Sequence, residues 1–169
     1  MIKLLAVAAT TALLLGVAAQ AQDRPKASIA ILKDSVGKEV GGVMLVDAPK
    51  GVVLRISAKG LTPGWHGLHF HEKGDCSKAD FTSAGAHTHG AAKAVHGLLN
   101  PAANETGDLP NLYIGADGAG MGEFYSGLTS VGALKDADGS AVVIHAGADD
   151  HMSQPIGGSG ARVACAVIR

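Results

Sequence analysis

Six of the chain's eight histidines fall between Gly64 and Gly97, in the run GWHGLHFHEKGDCSKADFTSAGAHTHGAAKAVHG. Histidine is the commonest metal ligand and titrates near neutral pH, and this segment has too little helical periodicity for packing to explain the density. The chemistry it points to is metal binding. Within it His69 and His71 flank Phe70. On an extended strand residues i and i+2 share a face, so the two imidazoles can approach one ion. Alternation puts any such pair on one face, so the spacing gains force only from the rest of the chain.

The elements that must position these side chains are short strands. Ala27 to Leu32, Glu39 to Val46 and Val52 to Ala58 are β-branched and partly alternating, and each is succeeded by a turn, at Ser35-Val36-Gly37, Pro49-Lys50-Gly51 and Pro63-Gly64. Gly67 to Glu72 is the strand that carries His69 and His71. Further strand signals lie at Leu112 to Ile114, Gly122 to Ser126, Ser130 to Leu134, Ala141 to His145 and Arg162 to Ile168, with turns at Asp117-Gly118 and Asp138-Gly139. Two stretches lack a period: Gly74 to Leu112, and Ala146 to Ala161 with its Gly157-Gly158-Ser159-Gly160 run. A loop as long as the first is usually functional or disordered. The pattern predicts an all-β fold, an antiparallel β-sandwich or flattened Greek-key barrel of about eight strands with two long functional loops.

The 169 residues suit one domain. A basic Lys3, an apolar run from Leu4 to Ala19, short for a membrane span, and the small-x-small Ala19-Gln20-Ala21 read as a signal peptide over residues 1–21, the alternative being an uncleaved anchor; cleavage would leave a mature domain over 22–169 with no membrane span. A net charge of −1 lacks the basic footprint that nucleic acid requires. In an exported chain the two cysteines, Cys76 and Cys165, are most simply a disulfide. It would close a loop of about 90 residues, worth about 4 kcal/mol by chain entropy. The alternative is a pair of metal thiolates, although neither has a second cysteine nearby.

The motifs GLHFHEKGDC, SAGAH, HGLLNP followed by GDLPN, VVIHAGADD and GGSGARVAC together resemble the copper/zinc superoxide dismutases of the bacterial exported type. The resemblance spans nearly all of the mature chain, from about Ser28 to Arg169. It implies the sandwich architecture, copper and zinc as cofactors, superoxide as substrate and a periplasmic location. It implies further that His69, His71 and His145 bind copper, that His87 bridges copper and zinc, and that His96 and Asp108 bind zinc. Arg162 would hold the substrate anion beside copper, Asp149 would link a copper histidine to a zinc histidine, and Cys76 would pair with Cys165. Four imidazoles suit copper(II), and zinc can organise a loop without redox chemistry. The implied reaction oxidises one superoxide to dioxygen and reduces another to hydrogen peroxide, with His87 carrying a proton.

One position departs from the family. Where its third zinc histidine is expected, nine residues beyond His96, this chain has Glu105, which can ligate zinc through oxygen. His89 stands where the family usually has asparagine and is the other possible replacement, and a partial zinc site is the third outcome. His66 is expected to tie strands together, His151 to lie at the surface, and Lys73 and Lys93 to be solvated. The competing functions are a periplasmic copper/zinc buffer on the same scaffold, which has no use for Arg162, and an adhesive sandwich, against which the histidines weigh. A monomer and a homodimer both fit.

Overall fold

The structure, a computed structural model, describes residues 27–90 and 93–169. The signal peptide expected over residues 1–21 lies outside them. β1 (Ala27–Asp34), β2 (Glu39–Ala48) and β3 (Gly51–Lys59) are consecutive antiparallel strands. In β3 Leu54, Ile56 and Ala58 point inward while Arg55, Ser57 and Lys59 do not. That alternation is the period-two pattern of a sheet with one buried face. β4 (Gly64–His66) and β5 (Leu68–His71) follow, then the long loop, β6 (Leu112–Ile114), β7 (Ala119–Ser126), β8 (Ser140–His145) and β9 (Arg162–Ile168).

Seven strands form one curled antiparallel sheet in the order β5-β8-β9-β1-β2-β3-β7, and β4 pairs with β6 in a small second sheet. Neighbours distant in sequence, such as β1 with β9 and β5 with β8, supply the Greek-key crossings. The inward faces share one core that includes Leu32, Leu45, Leu54, Phe70, Ile114, Ile144 and Ile168. Truncating such a buried leucine to alanine costs about 2–5 kcal/mol.

Two local expectations are corrected. Ser130 to Leu134 is not a strand: Ser130 caps a short helix, α1 (Val131–Leu134), its hydroxyl accepting the Ala133 N–H at 3.1 Å. Val131 and Leu134 are buried three residues apart, the helical spacing, and a serine N-cap outweighs a short apolar run. β4 is additional to the expected strands and brings those described to nine.

All residues of β5 and β8 are buried, so both faces of these strands are covered. Phe70, Val142 and Ile144 face the main core. On the other face Ala141, Val143 and Cys165 pack with Phe81 and Ala84 of the long loop in a second, smaller core. Cys76 joins Cys165 in the expected disulfide, with Cα atoms 6.0 Å apart, and so pins that loop to β9. His69, His71 and His145 share this second face by the same alternation.

Candidate metal centre

The long loop is laid along β5, and this alignment assembles the site. Thr88 donates its N–H to Phe70 at 2.8 Å, Phe70 donates to Gly107 at 2.9 Å, and Glu72 donates to Ala86 at 2.9 Å. His71 thereby faces His87 and His69 faces Asp108 across single bridges, while His89 faces Glu105. The approach requires glycine at 107, where a Cβ would lie 2.3 Å from the Phe70 carbonyl oxygen. On the other flank of β5, His69 pairs with Val143 and His71 with Ala141, which leads β8 to His145.

His69, His71, His87 and His145 are buried, and one ring nitrogen of each lies within 4.8 Å of the others. Their hydrogen bonds assign the rings. His71 Nδ1 donates to the Gly85 carbonyl and His145 Nδ1 to the Gly160 carbonyl, both at 3.0 Å. His69 Nε2 donates to Asp149 Oδ2 at 2.7 Å. The opposite nitrogens, His69 Nδ1, His71 Nε2, His145 Nε2 and also His87 Nε2, are buried with no hydrogen-bond partner. Buried polar atoms are almost always satisfied, so four convergent lone pairs without partners fit a cation. Burial also pushes His69 down to about 3, His145 to about 4 and His71 well below the ordinary imidazole value. Near neutral pH these rings are therefore uncharged donors, the form a metal takes.

The far side of the His87 ring is different. His87 Nδ1 lies 2.8 Å from Glu105 Oε2 and 3.6 Å from Asp108 Oδ1. His96 Nδ1 lies 3.0 Å from Glu105 Oε2 and 2.9 Å from Asp108 Oδ1. The ligand atoms of His87, His96, Asp108 and His69 also cluster within 4.8 Å. His69 directs one nitrogen to Asp149 and the other to the four-histidine group, whereas Glu105 Oε2 touches both His87 Nδ1 and His96 Nδ1. Burial alone would lower the two imidazoles, but the carboxylates outweigh it, raising His87 and lifting His96 to about 11. A pocket that draws protons this strongly favours positive charge and suits a divalent cation.

Asp149 ties the two groups together, with Oδ2 on His69 and Oδ1 accepting from His96 Nε2 at 3.1 Å. These hydrogen bonds more than offset burial and hold its carboxyl well below the usual range. Asn111, within the GDLPN motif but without an assigned role in the sequence reading, fixes Asp149 in turn. Its side-chain amide donates to the Asp149 carbonyl and accepts the Asp149 N–H, both at 2.8 Å.

Arg162 is half-buried beside the four-histidine group. Its Nη1 donates to the Phe81 carbonyl and its Nη2 to the Gly85 carbonyl, both at 2.6 Å. The Gly85 oxygen also receives His71, so the guanidinium and a cluster histidine share one acceptor. Phe81 sits in the left-handed region at φ 55°, unusual for a bulky side chain. A bulge between Ile144 and His145 sets His145 opposite Arg162.

The remaining histidines divide. His66 is buried, its ring nitrogens 2.6 and 2.8 Å from the carbonyls of His145 and Thr62, and so ties β4 to the end of β8 as expected. His89 stays at the rim, 2.6 Å from the Gly90 carbonyl and 3.8 Å from Glu72 Oε2, away from the cluster that Glu105 enters. His151 is not the surface histidine expected. It is half-buried, with Nδ1 3.5 Å from Asp149 Oδ2 and Nε2 3.3 Å from the Asn111 amide.

Comparison with known proteins agrees with this architecture. Residues 40–168 match the family described as copper/zinc superoxide dismutase (SODC). The chain is 59% identical over 146 residues to a Cu-Zn superoxide dismutase of Caulobacter vibrioides, covering 83% of this chain and 84% of that one. Among solved structures, a SOD-like protein from Bacillus subtilis superposes with a TM-score of 0.74 at 37% identity, over 83% of this chain and 97% of the other. The Cu/Zn superoxide dismutase from Brucella abortus gives 0.72 at 29% identity, over 85% and 100%. With the histidine groups, the Asp149 link and the sheet order already in place, the extent of these matches shows that the chain belongs to the copper/zinc superoxide dismutase family.

Proposed function

We propose that this superoxide dismutase holds copper through His69 Nδ1, His71 Nε2, His87 Nε2 and His145 Nε2, and holds zinc on the other side of His87 through His87 Nδ1, His96, Asp108 and Glu105. The observation that carries the copper assignment is the set of four buried nitrogens without partners, three of them on rings whose other nitrogen is held by a carbonyl or by Asp149. When bound, copper supplies a one-electron couple that oxidises one superoxide to dioxygen and, with two protons, reduces a second to hydrogen peroxide.

The chain's own residues do the rest. Arg162, its guanidinium fixed by two carbonyls, presents positive charge and N–H donors to the incoming anion with little freedom to lose. His87 can hold a proton at Nε2 and pass it to the reduced substrate while Nδ1 stays anchored among the carboxylates. Asp149 fixes the tautomer of His69 and holds His96 in register with it. A metal buffer on this scaffold would have no use for the anchored arginine.

The leader-like residues 1–21 support export to the periplasm, where the working unit is a monomer or a homodimer. No helix among the described residues is long and apolar enough to cross a membrane. Metal analysis of protein reconstituted with copper and zinc, with superoxide decay followed directly, tests the assignment. Expected are one copper and one zinc per chain and loss of activity in His71→Ala and His145→Ala; undiminished activity in either variant would sink the copper assignment.

A further inference from the structure

Gln154, which belongs to none of the family motifs, grips the backbone of His96 at both ends. Its Oε1 accepts the His96 N–H at 2.9 Å, and its Nε2 donates to the His96 carbonyl at 2.8 Å and to the Met152 carbonyl at 3.0 Å. A carboxamide supplies the one acceptor and the two donors that these three contacts use. His96 belongs to the long loop and Gln154 to the second loop, so the pair is a cross-link between the two segments that cover the metal centre. Three residues on, Gly157 closes over the contact that His96 makes with Asp149. A Cβ at 157 would lie 1.7 Å from Asp149 Oδ1 and 2.9 Å from His96 Nε2, and its φ of +60° also favours glycine. Its backbone is braced from both sides, its N–H donating to the Ser153 carbonyl at 2.7 Å and its carbonyl accepting from Asp150 at 2.9 Å.

We infer that Gln154 is a positioning residue for the zinc group: by clamping the His96 backbone it aims Nδ1 at Glu105 and Asp108 and Nε2 at Asp149, and so sets zinc affinity from outside the ligand set. The inference rests on the assignment of His96 to zinc. The copper rings are anchored elsewhere, by Gly85, Gly160 and Asp149, so the effect should fall on zinc first.

The test compares the parent with Gln154→Leu, Gln154→Glu and His96→Ala. Zinc and copper affinities are read by chelator competition, and zinc-group geometry by the visible spectrum of cobalt(II) bound in its place. Loss of an outer partner of a metal-binding histidine costs roughly 10–100-fold in affinity. Gln154→Leu should therefore weaken zinc about tenfold or more and alter the cobalt spectrum. Gln154→Glu, which keeps the acceptor and loses the donors, should fall between it and the parent, with copper changed less than threefold. Parent-like zinc affinity and spectrum in Gln154→Leu, or equal losses of zinc and copper, would overturn the inference. Should Gln154→Leu not fold, Gln154→Glu decides by the same readings. If His96→Ala binds zinc as the parent does, the zinc assignment fails and the inference with it; if only His96→Ala is impaired, the inference alone fails.

Discussion

Glu105 and His87 meet on the side of the imidazole turned away from the other three histidines of the four-histidine group: Oε2 lies 2.8 Å from Nδ1, while Nε2 faces His69, His71 and His145. One ring thus looks towards neutral imidazoles on one side and carboxylates on the other. Glu105→Ala should weaken zinc by at least about tenfold, the lower range for loss even of an outer partner. Glu105→His should tighten it, and copper should remain bound in both. Chelator competition at fixed pH gives the answer, and zinc binding by Glu105→Ala as tight as the parent's would remove Glu105 from the site.

Arg162→Ala should leave copper bound and lower kcat/KM by about tenfold or more, the size of effect that steering and oriented donors give an anionic substrate. Inhibition by small anions should weaken with it, and so should the dependence of rate on ionic strength. A variant with the parent's turnover and anion sensitivity would show that the guanidinium is only a loop anchor.

The Cys76–Cys165 disulfide and the small core of Phe81, Ala84 and Val143 hold the segment whose carbonyls fix Arg162. Cys76→Ser should lower unfolding free energy by about 2–5 kcal/mol. It should also reduce activity by more than it reduces copper content, because the arginine loses its mount. Denaturant midpoints, copper analysis and rates on one preparation separate these effects.

Stripped of metal by a chelator, the protein should be most stable near neutral pH. Burial holds His69 to about 3 and His145 to about 4, below the unfolded 6.5, so the unfolded chain binds more protons in that window and stability falls as pH drops from 6.5 towards 4. His96 has the opposite sign. Despite burial, Asp108, Asp149 and Glu105 raise it to about 11, so its contribution is complete below 6.5 and is lost as pH rises towards 11. Melting temperatures across both limbs check this, with His96→Gln expected to flatten the alkaline one. A level acid limb between about pH 6.5 and pH 4 would count against the buried neutral histidines.

Much of this is legible in the sequence because side-chain period and ligand type leave marks there. The His69 and His71 pair, the hairpin turns and the two unpatterned loops all read directly. The choice between Glu105 and His89 does not, since both lie in an irregular loop whose path is set by hydrogen bonds of Phe70 and Thr88 backbone groups. Backbone acceptors such as Gly85 and Gly160 leave no residue-type signal at all. At Ser130 a cap signal competes with a short apolar run and prevails, and Asn111 sits inside a motif with no visible partner until the fold brings Asp149 beside it.

The bulge in the β8–β9 pairing decides what can be transplanted. Ile144 pairs with Ala164, so regular pairing would put Val163, which packs on the main core, opposite His145 and turn Arg162 from the site. Copying the four-histidine group onto a barrel with uninterrupted pairing would leave Arg162 out of it, and on the proposed assignment such a centre would load copper without its anion guide. The smallest portable unit of this chemistry therefore includes one surplus residue in a strand, a length requirement that no ligand motif records.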